Sequence, residues 1–227
     1  RAYKDKMTDG SGAGGYLGKG LKKYAFKGYT RCSDFAIFQS IFDIENDGYN
    51  TVRLKGDLHC LVLADYFLDI FHKRASHYGI ILPKMCFNIK GAFLGVIDDY
   101  NVPDAPLPGV TDTRSMIYKT FLATPLLQLP STPRELHFTD KDGIGNDETE
   151  LSQALNAFTH ATLVDSNEMV LVADLQGRWI GASDKGLTAI YCFQQQHKCN
   201  KICMGLGLAP YATATQSQPA FLQSILN

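Results

Sequence analysis

The 227-residue chain lacks a charge surplus of either sign: 22 Lys and Arg stand against 23 Asp and Glu, a formal net charge of −1. No run of like charges breaks that balance. The broad basic field that grips a phosphate backbone is missing, so nucleic acid is not expected as a partner. Long apolar runs are missing too. No stretch approaches the ~20 residues that span a bilayer, and no charged-then-apolar leader opens the chain, so no membrane partner is expected. Cysteine is scattered: of Cys32, Cys60, Cys86, Cys192, Cys199 and Cys203, only the last two are clustered. That spacing is unlike a small secreted disulfide framework, and thiols kept reduced suit a zinc site better; without a span or leader the chain is expected to be intracellular and cytoplasmic. The first residue is Arg1 and not Met, which suggests a fragment. What the chain does have is apolar bulk. At 45% hydrophobic it can build one large domain or two intimately packed lobes.

The stretch from Met169 to Cys203 concentrates the chemistry. Met169 to Ala173 is an apolar run short enough for a buried strand, and it delivers Asp174 and Gln176 to its end. Asp174 is open to two readings, a cap or turn residue or a working carboxylate. Further on, His197, Cys199 and Cys203 crowd three soft or borderline ligands into seven residues, the density of a zinc half-site. A closed zinc site needs a fourth ligand from elsewhere; the other reading leaves these as separate core and surface residues.

Taken in order, residues 1–15 mix charge with glycine and read as a flexible lead-in. Tyr16 to Thr30 predicts a hairpin turning at Gly18, Lys19 and Gly20. Such a loop could cover nucleotide phosphates with Lys23 and Lys27 close by, or be an ordinary surface hairpin. A strand is expected at Asp34 to Ile41. Asp57 to Ala75 predicts a helix with Asp57 as N-cap and Leu58, Leu61, Val62, Leu68 and Phe71 at helical spacing. His59, His72 and His77 lack ligand spacing and read as packing or exposed residues. Strands are expected again at Met85 to Val96 and Tyr118 to Leu127, around a Pro-rich surface loop. Leu151 to Thr162 predicts a helix ending near His160. Between Gly186 and Cys199, Ile190, Phe193 and His197 share a helical face. Residues 211–227 read as a tail.

The order D-L-Q-G at Asp174, a Gly-containing loop, A-I at Ala189, and H-x-C-N-x-I-C from His197 to Cys203 resembles the C-terminal half of the alpha-kinases, which are atypical protein kinases. FNIKGAFLGVIDD from Phe87, FLATPLL from Phe121 and AFTH from Ala157 look most like the fungal branch. The resemblance implies an α+β, bilobal protein-kinase-like fold over 16–210, with an N-lobe to about 127, a C-lobe from 128, and a structural Zn²⁺. It implies a serine/threonine kinase that uses ATP and Mg²⁺ on a protein substrate, with Asp174 as catalytic carboxylate and Gln176 on metal or phosphate. It supplies His160 as the fourth ligand beside His197, Cys199 and Cys203, and places Gly18, Gly20, Lys23 and Lys27 at the nucleotide. Two departures stand out. Phe38 occupies the position where the family carries a strand lysine, so either Lys22, Lys23 or Lys27 of the preceding hairpin substitutes or nucleotide binding is weakened or lost, and the loop after Gly177 is too short to hold a further metal-binding acid. They raise an alternative: a degenerate kinase serving as a zinc-stabilised binding or scaffolding module. A third reading, a zinc-stabilised interaction domain that is no kinase, requires the D-L-Q-G match to be accidental.

Overall fold

The computed structural model describes residues 15–19, 22–40, 47–99, 102, 107–109, 116–127, 149–173, 175 and 187–211. Among the described residues nine elements run in the order β1 (Tyr16–Lys19), β2 (Lys23–Tyr29), β3 (Asp34–Ser40), α1 (Asp47–His77), β4 (Phe93–Val96), β5 (Thr120–Pro125), α2 (Glu150–Asp165), α3 (Leu187–Gln196) and α4 (Lys201–Gly205). The chain divides into two compact units, one of 1–65 with 86–133 and one of 66–85 with 134–227.

The first unit is built on one antiparallel sheet in the order β1-β2-β3-β5-β4. The predicted hairpin is there, but Gly18 does not turn it. Gly18 lies within β1 opposite Ala25, after a register shift, and Lys19 opposes Tyr24. Side chains alternate faces along a strand. On one face Lys23, Ala25 and Lys27 of β2 oppose Ser40, Phe38 and Ala36 of β3, and Phe38 in turn opposes Leu122 of β5. On the other, Tyr24 and Phe26 are buried with Tyr16 and Ile37 against them. Entry to β5 is fixed by buried amides. Gln39 donates to the carbonyls of Tyr118 and Thr120, and Asn50 donates to Thr120 while accepting from the Ser40 N–H. Asp47 accepts from the N–H groups of Lys119 and Thr120. These bonds satisfy backbone groups that a short strand leaves over.

α1 begins ten residues before its expected start. Its buried side is Asn50, Leu54, Asp57, Leu61, Ala64, Leu68, Phe71 and Ala75, a 3-4 spacing that holds one helical stripe against the core. Asp57 therefore lies mid-helix, inside the stripe, and is no N-cap. The strand expected from Met85 shrinks to Phe93–Val96. Pro83 has no N–H to give a ladder, and Gly91 adopts φ +88° at the bend before β4.

In the second unit α2 is buried on nearly all sides from Ala154 to Leu163, as befits an Ala-rich central helix. Thr149 and Ser152 form its capping box. α2 continues past His160 to Asp165, so the histidine sits in the helix body and not at its end. Arg74 of α1 pairs with Asp165, and the Phe71 and Phe158 rings meet edge to face at 5.5 Å. The run expected as a strand at 169–173 carries no strand pairing among the described residues. Ser166 instead caps it, with its Oγ accepting from the Val170 N–H. Asn167 and Glu168 turn the chain there at φ 54° and 63°. Among the described residues no helix is long and apolar enough to cross a membrane.

Candidate functional site

Three helices of the second unit and the turn between the last two bring together four side chains that could hold a metal ion. His160 comes from the middle of α2 and is fully buried. His197 follows α3 directly, its N–H still bonded to the Phe193 carbonyl at 2.8 Å. The turn after it is set by Asn200, whose Oδ1 accepts from the N–H groups of Ile202 and Cys203 and so starts α4. The Asn200 amide also donates to the Gln153 carbonyl of α2 at 2.9 Å. One side chain thus aims Cys203 and ties the ligand loop to the helix that carries His160.

The ligand atoms of His160, His197, Cys199 and Cys203 all lie within 4.8 Å of one another. Cys199 Sγ is 3.6 Å from His160 Nδ1, and Cys203 Sγ is 3.6 Å from His197 Nε2. A tetrahedron with metal–sulfur bonds of about 2.3 Å and metal–nitrogen bonds of about 2.05 Å has an S···N edge of about 3.6 Å. The donor set therefore fits a closed zinc site in both chemistry and spacing. Its electrostatics suit neutral imidazole: burial, followed by His197, lowers the His160 pKa to about 4, against a smaller opposing effect of the Ala209 carbonyl. Burial raises the Cys199 thiol, which Cys203 partly offsets by hydrogen bonding. A bound cation would supply the charge that makes thiolate favourable there.

Around the ligands sits an aromatic wall. Phe193 stacks on His197 with ring centroids 4.6 Å apart, and Tyr211 lies 4.8 Å from the His160 ring. By sequence Tyr211 falls in the tail, and no motif marks an aromatic residue beyond the last cysteine as part of this centre.

In the first unit, Lys23 of β2 forms an ion pair with Asp57 of α1, and both side chains are largely buried, at 10% and 3% exposure. Burial lowers the Lys23 pKa, and attraction to Asp57 opposes that shift. Asp57 thus offsets part of what burial costs the ammonium. The pair lies on the sheet face that also carries Phe38. Lys23 opposes Ser40, which places it diagonal to Phe38 on that face, about 7 Å away by sheet geometry. Lys27 is elsewhere: it pairs with Asp34 at 2.9 Å, and both side chains are about half exposed. Gly20, Asp174 and Gln176 lie outside the described residues, whereas Gly18 lies in β1.

The model of the Alpha-kinase family matches residues 18–203. No curated protein sequence matches the chain. Among solved structures, the fold is similar to the alpha-kinase domain of Dictyostelium myosin-II heavy chain kinase A. The apoenzyme gives a TM-score of 0.55 at 15% identity over 87% of each chain. The same domain in complex with ADP gives 0.55 at 13% identity over 87% of each chain. Its complex with adenosine gives 0.54 at 14% identity, covering 86% of this chain and 84% of that one.

Proposed function

Because the chain belongs to the alpha-kinase family, we propose that it is a protein kinase that moves the γ-phosphate of ATP to a Ser or Thr hydroxyl of a protein. Phosphoryl transfer asks a protein mostly for positioning and charge neutralisation. Asp174, from the D-L-Q-G match, orients the incoming hydroxyl and takes its proton. Gln176, two residues on in the same D-L-Q-G match, holds Mg²⁺ or phosphate oxygens. Gly18 and Gly20 bring the β1–β2 hairpin over the phosphates, where Mg²⁺ supplies the counter-charge when bound.

The observation that carries this reading is the Lys23–Asp57 pair. A strand lysine held by a helix acid is the part that Phe38 displaces from β3, and here it stands one strand over on the same face. A lysine stem spans about 6 Å, so Lys23 can present its ammonium where a lysine at position 38 would have done. Lys27, engaged with Asp34 at a half-exposed site, is a weaker candidate than Lys23. His160, His197, Cys199 and Cys203 would hold a structural Zn²⁺ that pins α2 to α4; the S···N spacing supports it. Six free thiols support a reducing, cytoplasmic location. The segments from Phe87, Phe121 and Ala157 support a place near the fungal branch.

The short loop after Gly177 favours a second reading, a degenerate kinase that binds or scaffolds. Transfer of labelled γ-phosphate from Mg-ATP to a basic substrate protein separates them. A kinase loses transfer in Asp174→Ala and in Lys23→Met. No transfer by the unaltered chain, with its zinc present, would establish the binding module.

A further inference from the structure

As the cation that meets ATP phosphates, Lys23 has two tasks that pull against each other. Its ammonium pairs with Asp57 of α1, yet the place it must serve lies beside Phe38, diagonally across β2 and β3 and about 7 Å away. Asp57 cannot be left behind. Its side chain is 3% exposed, and Lys23 is its one cationic partner among the described residues. A buried carboxylate that loses its cation is stranded where nothing solvates the charge.

The sequence of α1 supplies a replacement. Side chains three or four residues apart share a helix face, with Cβ atoms about 5 to 6 Å from each other. Of Arg53, Leu54, Cys60 and Leu61, the four residues at that spacing from Asp57, only Arg53 is charged. Arg53 is half-buried. Its guanidinium lies 5.2 Å from the centre of the Tyr49 ring, and Nη2 donates to the phenol oxygen at 3.2 Å. Tyr49 is half exposed, so this contact is weak and easily exchanged. The guanidinium is also within electrostatic reach of the buried pair: burial is the main cause of the lowered Lys23 pKa, Asp57 opposes it, and the charge of Arg53 adds to it. A planar fork of donors suits a carboxylate at least as well as an ammonium does. We propose that Arg53 is a positioning residue of the nucleotide site, which turns from Tyr49 to Asp57 as Lys23 extends to the phosphates. The buried carboxylate thereby keeps a cation in both states. Arg53 itself touches neither the phosphates nor the reacting atoms. The proposal rests on the kinase reading, and it makes ATP affinity depend on Arg53 only while Asp57 carries charge.

The experiment titrates the whole chain with Mg-ATP and follows KM and kcat of phosphate transfer beside it. Arg53→Gln should melt near the unaltered temperature without nucleotide, yet bind Mg-ATP about 10-fold more weakly, with KM raised and kcat kept. Arg53→Lys should recover most of that loss. In an Asp57→Asn background, where no charge is stranded, Arg53→Gln should change affinity less than about twofold. Tyr49→Leu, which removes only the resting contact, should tighten Mg-ATP about 2- to 5-fold and needs no substitution in the buried pair. Unaltered affinity in Arg53→Gln would overturn the proposal and leave the kinase reading standing. So would an equal loss in both backgrounds, which would mean that Arg53 meets the phosphates directly, or a Tyr49→Leu protein that binds no tighter. Failure of the unaltered chain to bind Mg-ATP would overturn the nucleotide site and the proposal together.

Discussion

Asp57 occupies a place in the α1 stripe where its neighbours Leu54, Leu61 and Ala64 are apolar. A carboxylate there is tolerable because Lys23 meets it. Breaking one half of a buried pair strands the other charge and costs about 3 to 5 kcal/mol, whereas replacing both with apolar residues of similar size is often neutral. Asp57→Leu alone should therefore be strongly destabilised in urea titrations. Lys23→Met with Asp57→Leu should recover most of the stability yet fail to bind Mg-ATP, as measured by a nucleotide-induced rise in melting temperature. Recovery of both would show that the pair only holds the fold. His160 gives a second test, with a pH sign. Its folded pKa, about 4, lies below the ordinary value of about 6.5, so between those values the unfolded chain takes up more protons. In the metal-free protein the His160 contribution is fully present above pH 6.5 and is lost as pH falls to about 4, by about 3 kcal/mol in all. Denaturation profiles of metal-free protein should show this acid slope, and His160→Asn should flatten it.

At the scale of elements, β4 depends on a close approach. A Cβ at Gly95 would run into the ring of Phe121 on the facing strand. Gly95→Ala should cost about 1 to 3 kcal/mol through overpacking, and Phe121→Leu should relieve most of it in the double variant, a coupling that urea titration of the four proteins will measure. The same sheet shows where sequence reading stopped. The hairpin and β3 were legible from alternation and glycine. The start of α1 was not, because Asn50 and Asp57 put polar side chains into its buried stripe and Gly48 and Gly56 weaken its helical signature. The segment 169–173 misled in the other direction: an apolar run looks like a strand whether or not a neighbour offers it a ladder. The clustering of His197, Cys199 and Cys203 was legible as a spacing, and the place of His160 beside them through the AFTH resemblance. The partnership of Lys23 with Asp57 and of Tyr211 with His160 arises from tertiary contact, for which the local sequence holds no signal.

At the scale of the whole molecule, the two compact units draw on different sources of order. The first rests on a five-stranded sheet and the buried amides of Gln39 and Asn50. The second rests on helices around α2, and its last described helix is a single short turn, Lys201–Gly205, too short to persist by propensity alone. Asn200, Cys203 and the ligands it meets are what fix that turn to α2. Cation removal should therefore act unevenly. A ligand bound only by the folded state stabilises by mass action, and a loss of several kcal/mol in a chain of this length lowers the melting temperature by about 10 °C. After chelation, amide exchange should accelerate across α2, α3 and α4, while β2, β3 and β5 keep their protection. Uniform loss of protection across both sets would mean that the His/Cys centre supports the sheet as well. Unchanged exchange in α4 would mean that Asn200 alone holds the turn, and the metal is dispensable to the fold.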